Sequence, residues 1–328
     1  MYSKAKSCVQ WNLTTSQYFS CTSGVRQGEN LSPLLFAVFL NDLKAFVSNR
    51  VGGLNSLRKE ARNTDFDEPE IDALYKMLVL IYADDTVICA ESPGELQNAL
   101  DAMFDYCKKW QLKINSTKTK VMIFSRGKVR KLPAFMYDGK QLDIVFSFQY
   151  LGVKFNYNNK FKVAQKQLYD RASRAMFSLL RKVKSLLLPI DVSIELFDRM
   201  IAPILLYGAE IWCPQMCELV NKLQLRFYKI LLNLSRSTPS HMILGELGQY
   251  PLEIQAKSRM LCFWYKLSDP QNRGKLSSLV YEFLLCMYKK NVYKSLYLRC
   301  IEDTLNALGF SHFWLHQRNV TRPPLSFF

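Results

Sequence analysis

Two mostly apolar runs with a pair of acids between them are the clearest feature of the hydrophobic pattern. Residues 78–83 form the first run and residues 86–90 the second, and Asp84 and Asp85 lie at the joint. This pattern predicts a β-hairpin with both carboxylates at its tip. Adjacent carboxylates repel each other, and a divalent cation such as Mg²⁺ is the usual compensation because it prefers oxygen ligands. The alternative is a solvated turn, in which Asp side chains bond local backbone.

Other segments around this hairpin show helical or turn signals. Residues 24–50 predict a loop and a helix, with Ser32 as its cap and Gly52-Gly53 as its end. Ser92 and Glu95 predict a capping box, and the helix that follows carries an apolar stripe at Leu96, Leu100, Met103, Cys107 and Trp110. The acid-rich residues 59–72 predict a solvated loop in preference to a metal site. Residues 121–124 and 148–155 predict strands, and Asp138-Gly139 predicts a hairpin turn.

From about residue 159 onward the pattern becomes helical and basic. Cations dominate one predicted helix, opposed by Asp170 alone: Lys160, Lys162, Lys166, Arg171, Arg174, Arg181, Lys182 and Lys184. We expect one face to pack and the other to lie along a nucleic-acid backbone, the alternative being an ordinary soluble helix. Residues 192–207, 219–234 and 256–328 predict further helices, and we expect the aromatic residues of the last segment to be mostly core.

Amino-acid composition indicates what kind of molecule the chain binds and in which environment it works. The net charge of +16 and pI near 9.4 favour a polyanion, whereas 49% hydrophobic residues exclude a disordered chain. Nine cysteines show no disulfide framework, and neither a signal peptide nor a membrane span is evident. We therefore expect reduced thiols, no membrane association and an intracellular location, in cytoplasm, nucleus or both. The spacings Cys213/Cys217 and His312/His316 resemble zinc pairs but are far apart in sequence, so no zinc is expected.

A glycine-flanked loop upstream completes the pattern of motifs. The run of residues 24–28 has the sequence Gly-Val-Arg-Gln-Gly, and residues 31–36 have the sequence Leu-Ser-Pro-Leu-Leu-Phe. With the Tyr-Ala-Asp-Asp of residues 82–85, these segments resemble the reverse transcriptase family, specifically the polymerase of non-LTR (LINE-type, jockey-like) retrotransposons. Residues 110–120, 148–152, 208–212 and 244–248 resemble later motifs of such chains, so that the resemblance covers roughly residues 1–255.

The resemblance implies RNA-templated DNA synthesis by two-metal nucleotidyl transfer, with Asp84 and Asp85 as the catalytic ligands of Mg²⁺ or Mn²⁺. The implied nucleotide and template contacts are Arg26, Gln27, Gly28, Tyr82, Ala83 and Lys118. The implied primer grip is Phe148, Tyr150, Leu151 and Gly152, and the implied backbone contacts are Lys162, Lys166, Arg174 and Arg181. The implied partners are an RNA template, a DNA primer and deoxynucleotide triphosphates.

The implied fold is α+β. It consists of a partial palm over residues 1–157, in which helices pack on an antiparallel sheet, a helical thumb over residues 158–250 and a helical C-terminal region over residues 251–328. The family's third carboxylate comes from an earlier strand, yet residues 1–23 contain no Asp or Glu. We therefore expect the chain to be inactive alone. A palm sheet without that earlier strand has an unpaired edge beside apolar surface, so we also expect the chain to be poorly soluble. The alternative is a non-catalytic nucleic-acid-binding remnant, whereas the motifs disfavour a group II intron or telomerase lineage.

Overall fold

The structure is a computed structural model that describes residues 6–21, 24–25, 28–75, 77–125, 132–158, 161–213 and 218–317. The strands are β1 (Lys6–Ser7), β2 (Gln10–Trp11), β3 (Thr14–Thr15), β4 (Phe19–Ser20), β5 (Val79–Tyr82), β6 (Asp85–Ile88), β7 (Lys120–Val121), β8 (Met136–Tyr137), β9 (Lys140–Gln141), β10 (Asp143–Ile144), β11 (Ser147–Tyr150) and β12 (Val153–Asn156). The helices are α1 (Ser32–Phe39), α2 (Leu43–Val51), α3 (Asn55–Arg62), α4 (Glu68–Tyr75), α5 (Pro93–Lys109), α6 (Lys162–Ser185), α7 (Ile190–Met200), α8 (Ala202–Leu205), α9 (Ala209–Trp212), α10 (Glu218–Leu231), α11 (Ser240–Glu246), α12 (Leu252–Leu267), α13 (Leu276–Lys289), α14 (Leu296–Ala307) and α15 (Ser311–Leu315).

The chain is α+β, as the resemblance implies, and it divides into two compact units. Unit 1 comprises Met1–Asn115 and Phe135–Gln141, and unit 2 comprises Ser116–Ala134 and Leu142–Phe328. The described strands pair two by two instead of forming one continuous sheet, and the β7–β10 pair is parallel while the others are antiparallel. Among the described residues, no helix is both long and apolar enough to cross a membrane.

The core of unit 1 lies between α2, β5 and α5. Val47, Val79 and Tyr106 are among its buried side chains. The predicted stripe of α5 is confirmed at Leu100, Met103 and Cys107, which are buried, whereas Trp110 is 37% exposed. Burial of this stripe places α5 in the same core as the strand that leads to the acid pair.

The start of α5 confirms half of the predicted capping box. The Ser92 hydroxyl accepts a hydrogen bond from the Glu95 N–H at 3.3 Å. The Glu95 carboxylate, however, accepts from the Glu91 N–H at 3.0 Å and not from that of Ser92. In α1 the predicted cap is wrong, because the helix already includes Ser32, which is buried, and Leu31 is its N-cap residue.

The predicted solvated loop over residues 59–72 is wrong. This segment lies mostly in α3 and α4, whose buried positions are Ala61, Ile71 and Leu74. Charged residues occupy so many of the remaining positions that the apolar spacing is hard to see in the sequence. Two short amphipathic helices result, because even a few buried apolar residues are enough to orient a helix.

The core of unit 2 is helical. Phe197 of α7 stacks on Phe227 of α10 with ring centroids 4.6 Å apart, and Tyr228 contacts both rings. In the C-terminal region, Trp264 and Tyr281 are buried, and the Trp264 indole donates to the Tyr281 hydroxyl at 2.8 Å. The expected aromatic core is thus confirmed at these two positions.

Three boundaries in unit 2 differ from those predicted. Residues 148–155 form no single strand but the antiparallel β11–β12 hairpin, because Leu151 and Gly152 both have positive φ angles and reverse the chain. The strand predicted over residues 121–124 is only Lys120–Val121. The basic helix ends at Ser185, and Pro189 instead precedes α7.

Candidate functional site

The β5–β6 hairpin places the two acids as predicted. Tyr82 pairs with Asp85, which leaves Ala83 and Asp84 as a two-residue turn. Ala83 has a φ of 52°, in the left-handed region that costs a residue with a Cβ about 1–2 kcal/mol. The base of the hairpin is buried at Val79, whereas residues 81–85 are exposed. The predicted hairpin is therefore confirmed, with both carboxylates presented to solvent.

The donor set at this tip fits a hard divalent cation. No cation among the described residues forms an ion pair with Asp84 or Asp85. Magnesium in proteins is often held by only one or two carboxylates and keeps several waters or substrate oxygens. The described residues contain no cluster of three His, Cys, Asp or Glu side chains. Among the described residues, the hairpin tip thus presents two carboxylate groups of the kind that such an ion prefers.

The glycine-flanked loop is partly outside the described residues, and Arg26 and Gln27 fall there. Gly28 has a φ of 84°, and a Cβ added to it would meet no atom within 4 Å. Glycine therefore serves the backbone conformation here, and it leaves the backbone open to close approach.

The predicted primer-grip residues lie in one hairpin, β11–β12, and two of them form its turn. Tyr150 pairs with Val153, and the two turn residues, Leu151 and Gly152, have φ angles of 47° and 80°. The Tyr207 hydroxyl donates to the Leu151 carbonyl at 2.8 Å. A Cβ at Gly152 would lie 2.9 Å from Cε1 of the same tyrosine ring. Tyr207 therefore supports the tip, a role that the sequence did not suggest.

Helix α6 carries the predicted basic face. Lys162, Lys166, Arg174 and Arg181 are all exposed, whereas Lys160 is outside the described residues. The Gln167 amide donates to Gln149 Oε1 of β11 at 3.1 Å. Unit 2 thus brings together the predicted primer segment and the predicted backbone-binding helix.

The remaining candidates fall in both units. Gly28, Tyr82, Ala83, Asp84 and Asp85 belong to unit 1, whereas Lys118, the β11–β12 hairpin and α6 belong to unit 2. Lys118 is exposed, in the turn that precedes β7.

A tyrosine–carboxylate contact ties α5 to the corner after α1. The Tyr106 hydroxyl donates to Asp42 Oδ1 at 2.6 Å. Burial, reinforced by this carboxylate, raises the pKa of Tyr106, so the phenol stays protonated and keeps donating. The sequence gives little sign of this contact, because Tyr106 lies next to the apolar stripe and is easily taken for a simple core residue.

Two cysteine thiols of unit 1 are held in their protonated form. Burial raises the pKa of the Cys89 and Cys107 thiols, which disfavours the reactive thiolate. Of the two zinc-like pairs, Cys213 is buried and Cys217 is outside the described residues, while His312 and His316 are exposed.

Comparisons with known proteins identify the matched family. Residues 2–155 match the family described as reverse transcriptase (RNA-dependent DNA polymerase). The chain is 27% identical over 201 residues to a probable RNA-directed DNA polymerase from transposon BS of Drosophila melanogaster. These 201 residues are 58% of this chain and 20% of that protein. The chain is 22% identical over 223 residues to the RNA-directed DNA polymerase from mobile element jockey of the same species, covering 65% of this chain and 22% of that protein.

A further relative is a putative uncharacterized transposon-derived protein of Caenorhabditis elegans. It is 30% identical over 138 residues, which are 40% of this chain and 48% of that protein. The chain spans about a fifth of the length of the two Drosophila melanogaster proteins. No solved structure matches the chain.

Because Tyr207 packs against the β11–β12 turn, a methyl group added at Gly152 should destabilise the fold. We expect Gly152→Ala to lower the free energy of unfolding by roughly 2–4 kcal/mol, because it adds overpacking to left-handed strain. Gly248→Ala is the matched control, since Gly248 also has a positive φ but open space around it; strain alone should cost about 1–2 kcal/mol. Urea unfolding measures both. Equal losses would contradict the contact with Tyr207.

Proposed function

Because residues 2–155 form a reverse transcriptase domain of the non-LTR (LINE-type) retrotransposon class, we propose that this chain supplies two metal-binding carboxylates and a nucleic-acid-holding surface to RNA-templated DNA synthesis. The observation that carries the proposal is the exposed Asp84–Asp85 pair at the tip of the β5–β6 hairpin. It lies inside the segment that matches the family.

Asp84 and Asp85 are the residues that would hold Mg²⁺ or Mn²⁺. Such ions favour attack by the primer hydroxyl and neutralise the charge that develops on the leaving pyrophosphate. The chain's own contribution is position: a short turn anchored by four residue pairs holds both carboxylates on one exposed tip. Tyr82 and Ala83 belong to the same tip, where their exposure suits contact with a nucleotide.

Other residues would hold the incoming nucleotide and its template. The open backbone at Gly28 suits close approach of a base pair. The resemblance assigns the same role to Arg26 and Gln27, which precede Gly28 in the sequence. Lys118 would place a point charge near the triphosphate. These roles follow from the resemblance of the motifs, and the exposure of Gly28 and Lys118 is compatible with them.

Unit 2 would hold the nucleic acid. Phe148, Tyr150, Leu151 and Gly152 form the proposed primer grip, and the α6 cations would follow the phosphate backbone. The hydrogen bond between Gln167 and Gln149 keeps the two together. We accordingly propose a partial palm over residues 1–157, a thumb over residues 158–250 and a helical C-terminal region over residues 251–328.

A non-catalytic binding function is the second candidate. The observation that favours it is the exposed basic face of α6, which is opposed by Asp170 alone and needs no metal to attract a polyanion. The two candidates share this surface, and they differ in whether the acid pair binds a metal that is used in catalysis.

The first prediction concerns the acid pair. We expect Asp84→Asn with Asp85→Asn to weaken Mn²⁺ binding at least tenfold, measured by electron paramagnetic resonance of the free ion, because the carboxylate ligands are removed. Unfolding by urea should be unchanged, since both side chains are exposed. The control is Asp65→Asn with Asp138→Asn, which makes the same change in charge at other exposed sites of unit 1. Unchanged Mn²⁺ affinity in the Asp84/Asp85 variant would count against the metal site.

The second prediction concerns catalysis by these residues alone. Two-metal sites take ligands from facing strands, and residues 1–23 contain no Asp or Glu. We therefore expect residues 1–328 to yield no product in a primer-extension assay with an RNA template, a DNA primer and all four deoxynucleotide triphosphates. Template-directed extension that disappears in the Asp84/Asp85 variant would contradict this expectation.

The third prediction concerns α6. We expect the wild-type chain to bind a primer–template duplex with an affinity that falls steeply with KCl. The variant Lys162→Gln, Lys166→Gln, Arg174→Gln, Arg181→Gln should flatten the log–log slope by roughly 0.9 for each phosphate that the helix no longer neutralises. Glutamine at Arg236, Lys266, Lys289 and Lys294, which are also exposed cations, is the control. Equal slopes for the two variants would show that α6 makes no special contribution to binding.

A further inference from the structure

We propose that the exposed face of α3 is a second anion site, which binds phosphate oxyanions. The inference deepens the proposed function and rests on it only for the carrier of the phosphate, for which a nucleic-acid backbone is favoured over a free nucleotide. The site was hidden in the sequence, because residues 59–72 look like an acid-rich loop. The helix segregates these charges and places the cations together.

The geometry of the site follows from helical spacing. Asn55, Arg58, Lys59, Arg62 and Asn63 occupy positions i, i+3, i+4, i+7 and i+8, and so share one face. They line an open concavity of about 350 Å³. The acid in this stretch of the helix, Glu60, falls on another side by the same spacing. The concavity therefore has three cations and two amides on its wall.

The side chain of Arg58 is held in place by the ring of Tyr75. Its guanidinium carbon lies 4.8 Å from the centroid of the Tyr75 ring, and its Nε is buried without a hydrogen-bond partner. Tyr75 is itself fixed, since its carbonyl accepts from the Leu54 N–H at 2.9 Å. A Cβ at Gly53 would lie 2.2 Å from that carbonyl oxygen, so only glycine permits the close approach. A guanidinium fixed in this way loses little side-chain entropy when it binds an anion.

The charge of this face is not neutralised within the described part of the chain, where no carboxylate forms an ion pair with Arg58, Lys59 or Arg62. The Glu91 carboxylate instead accepts from the Ser56 N–H at 2.9 and 3.0 Å, at the other end of α3.

Cations near a helix C-terminus also have an ordinary explanation, because they favour the helix dipole. That explanation accounts for Lys59 and Arg62 in the last turn. It does not account for the stacked Arg58 or for the concavity. Two guanidinium groups and an ammonium group on one face suit phosphate, since the arginine fork matches its oxygens in a bidentate geometry.

The test compares two triple variants with the same change in charge. One is Arg58→Gln, Lys59→Gln, Arg62→Gln; the other is Lys6→Gln, Lys108→Gln, Lys140→Gln, at exposed positions of unit 1. Fluorescence anisotropy across KCl concentrations measures binding to a single-stranded RNA and to an RNA–DNA hybrid. We expect the α3 variant to flatten the log–log slope by roughly 0.7–0.9 for each phosphate that is no longer neutralised, with the control close to wild type. Equal flattening in both variants would overturn the proposal.

A second arm identifies the carrier of the phosphate. Binding of a deoxynucleotide triphosphate is measured directly by calorimetry in the same variants. Loss of triphosphate binding alone in the α3 variant would support the phosphate site and assign it to a free nucleotide. If the wild type bound no nucleic acid, the proposed function would fail, while the calorimetric arm would still decide the α3 site. Undiminished binding in both arms would overturn it.

A conservative variant separates a built site from general charge. Arg58→Lys keeps the positive charge but removes the fork and the stack on Tyr75. We expect it to weaken phosphate binding severalfold, with urea unfolding used to confirm that the fold is retained. Competition by polyglutamate as strong as that by RNA would indicate a site for acidic peptides and overturn the assignment to phosphate.

Discussion

The buried stripe of α6 is the constraint on which the candidate nucleic-acid surface depends. Ala172, Met176 and Leu180 lie on this stripe, within a core shared with α7, α8 and α10. A helix that buries one side must leave its charged side chains on the other. Because Asp170 is the single acid of this helix, the exposed side of α6 is strongly positive. The surface is thus a direct consequence of core packing in unit 2.

The second constraint is the left-handed backbone that tight turns require. Different turns of this chain adopt it with different residue types and at different cost. At Asp138-Gly139 a favoured hairpin sequence takes the left-handed backbone with little strain. At Ala83 and Leu151, residues with side chains take the same conformation at a cost. Both strained turns carry candidate functional residues, and strain of this kind tends to persist where the surroundings enforce it. At Leu151 the enforcing neighbour is Tyr207.

Elements with a continuous apolar or charged pattern can be predicted from the sequence, whereas short helices and turns with few apolar residues cannot. The acid-pair hairpin and the basic helix follow from runs of neighbouring residues, which is where apolar periodicity is informative. The segment over residues 59–72 was misinterpreted because its helices bury so few apolar side chains, Ala61 among them. In the sequence, residues 148–155 resemble one strand, because Leu151 is apolar and gives no sign of the turn that it forms with Gly152.

The family motifs, the acid pair at a hairpin tip and the basic side of α6 can all be recognised without a structure, since each depends on residues close together in the chain. The side chains that support them are visible only in the fold. Tyr207 reaches Leu151, Glu91 reaches Ser56, and Tyr75 lies beneath Arg58. Such contacts join residues from separate elements, and their partners are chosen by how the elements pack. No local period encodes that choice, because it depends on distances that exist only in the folded units.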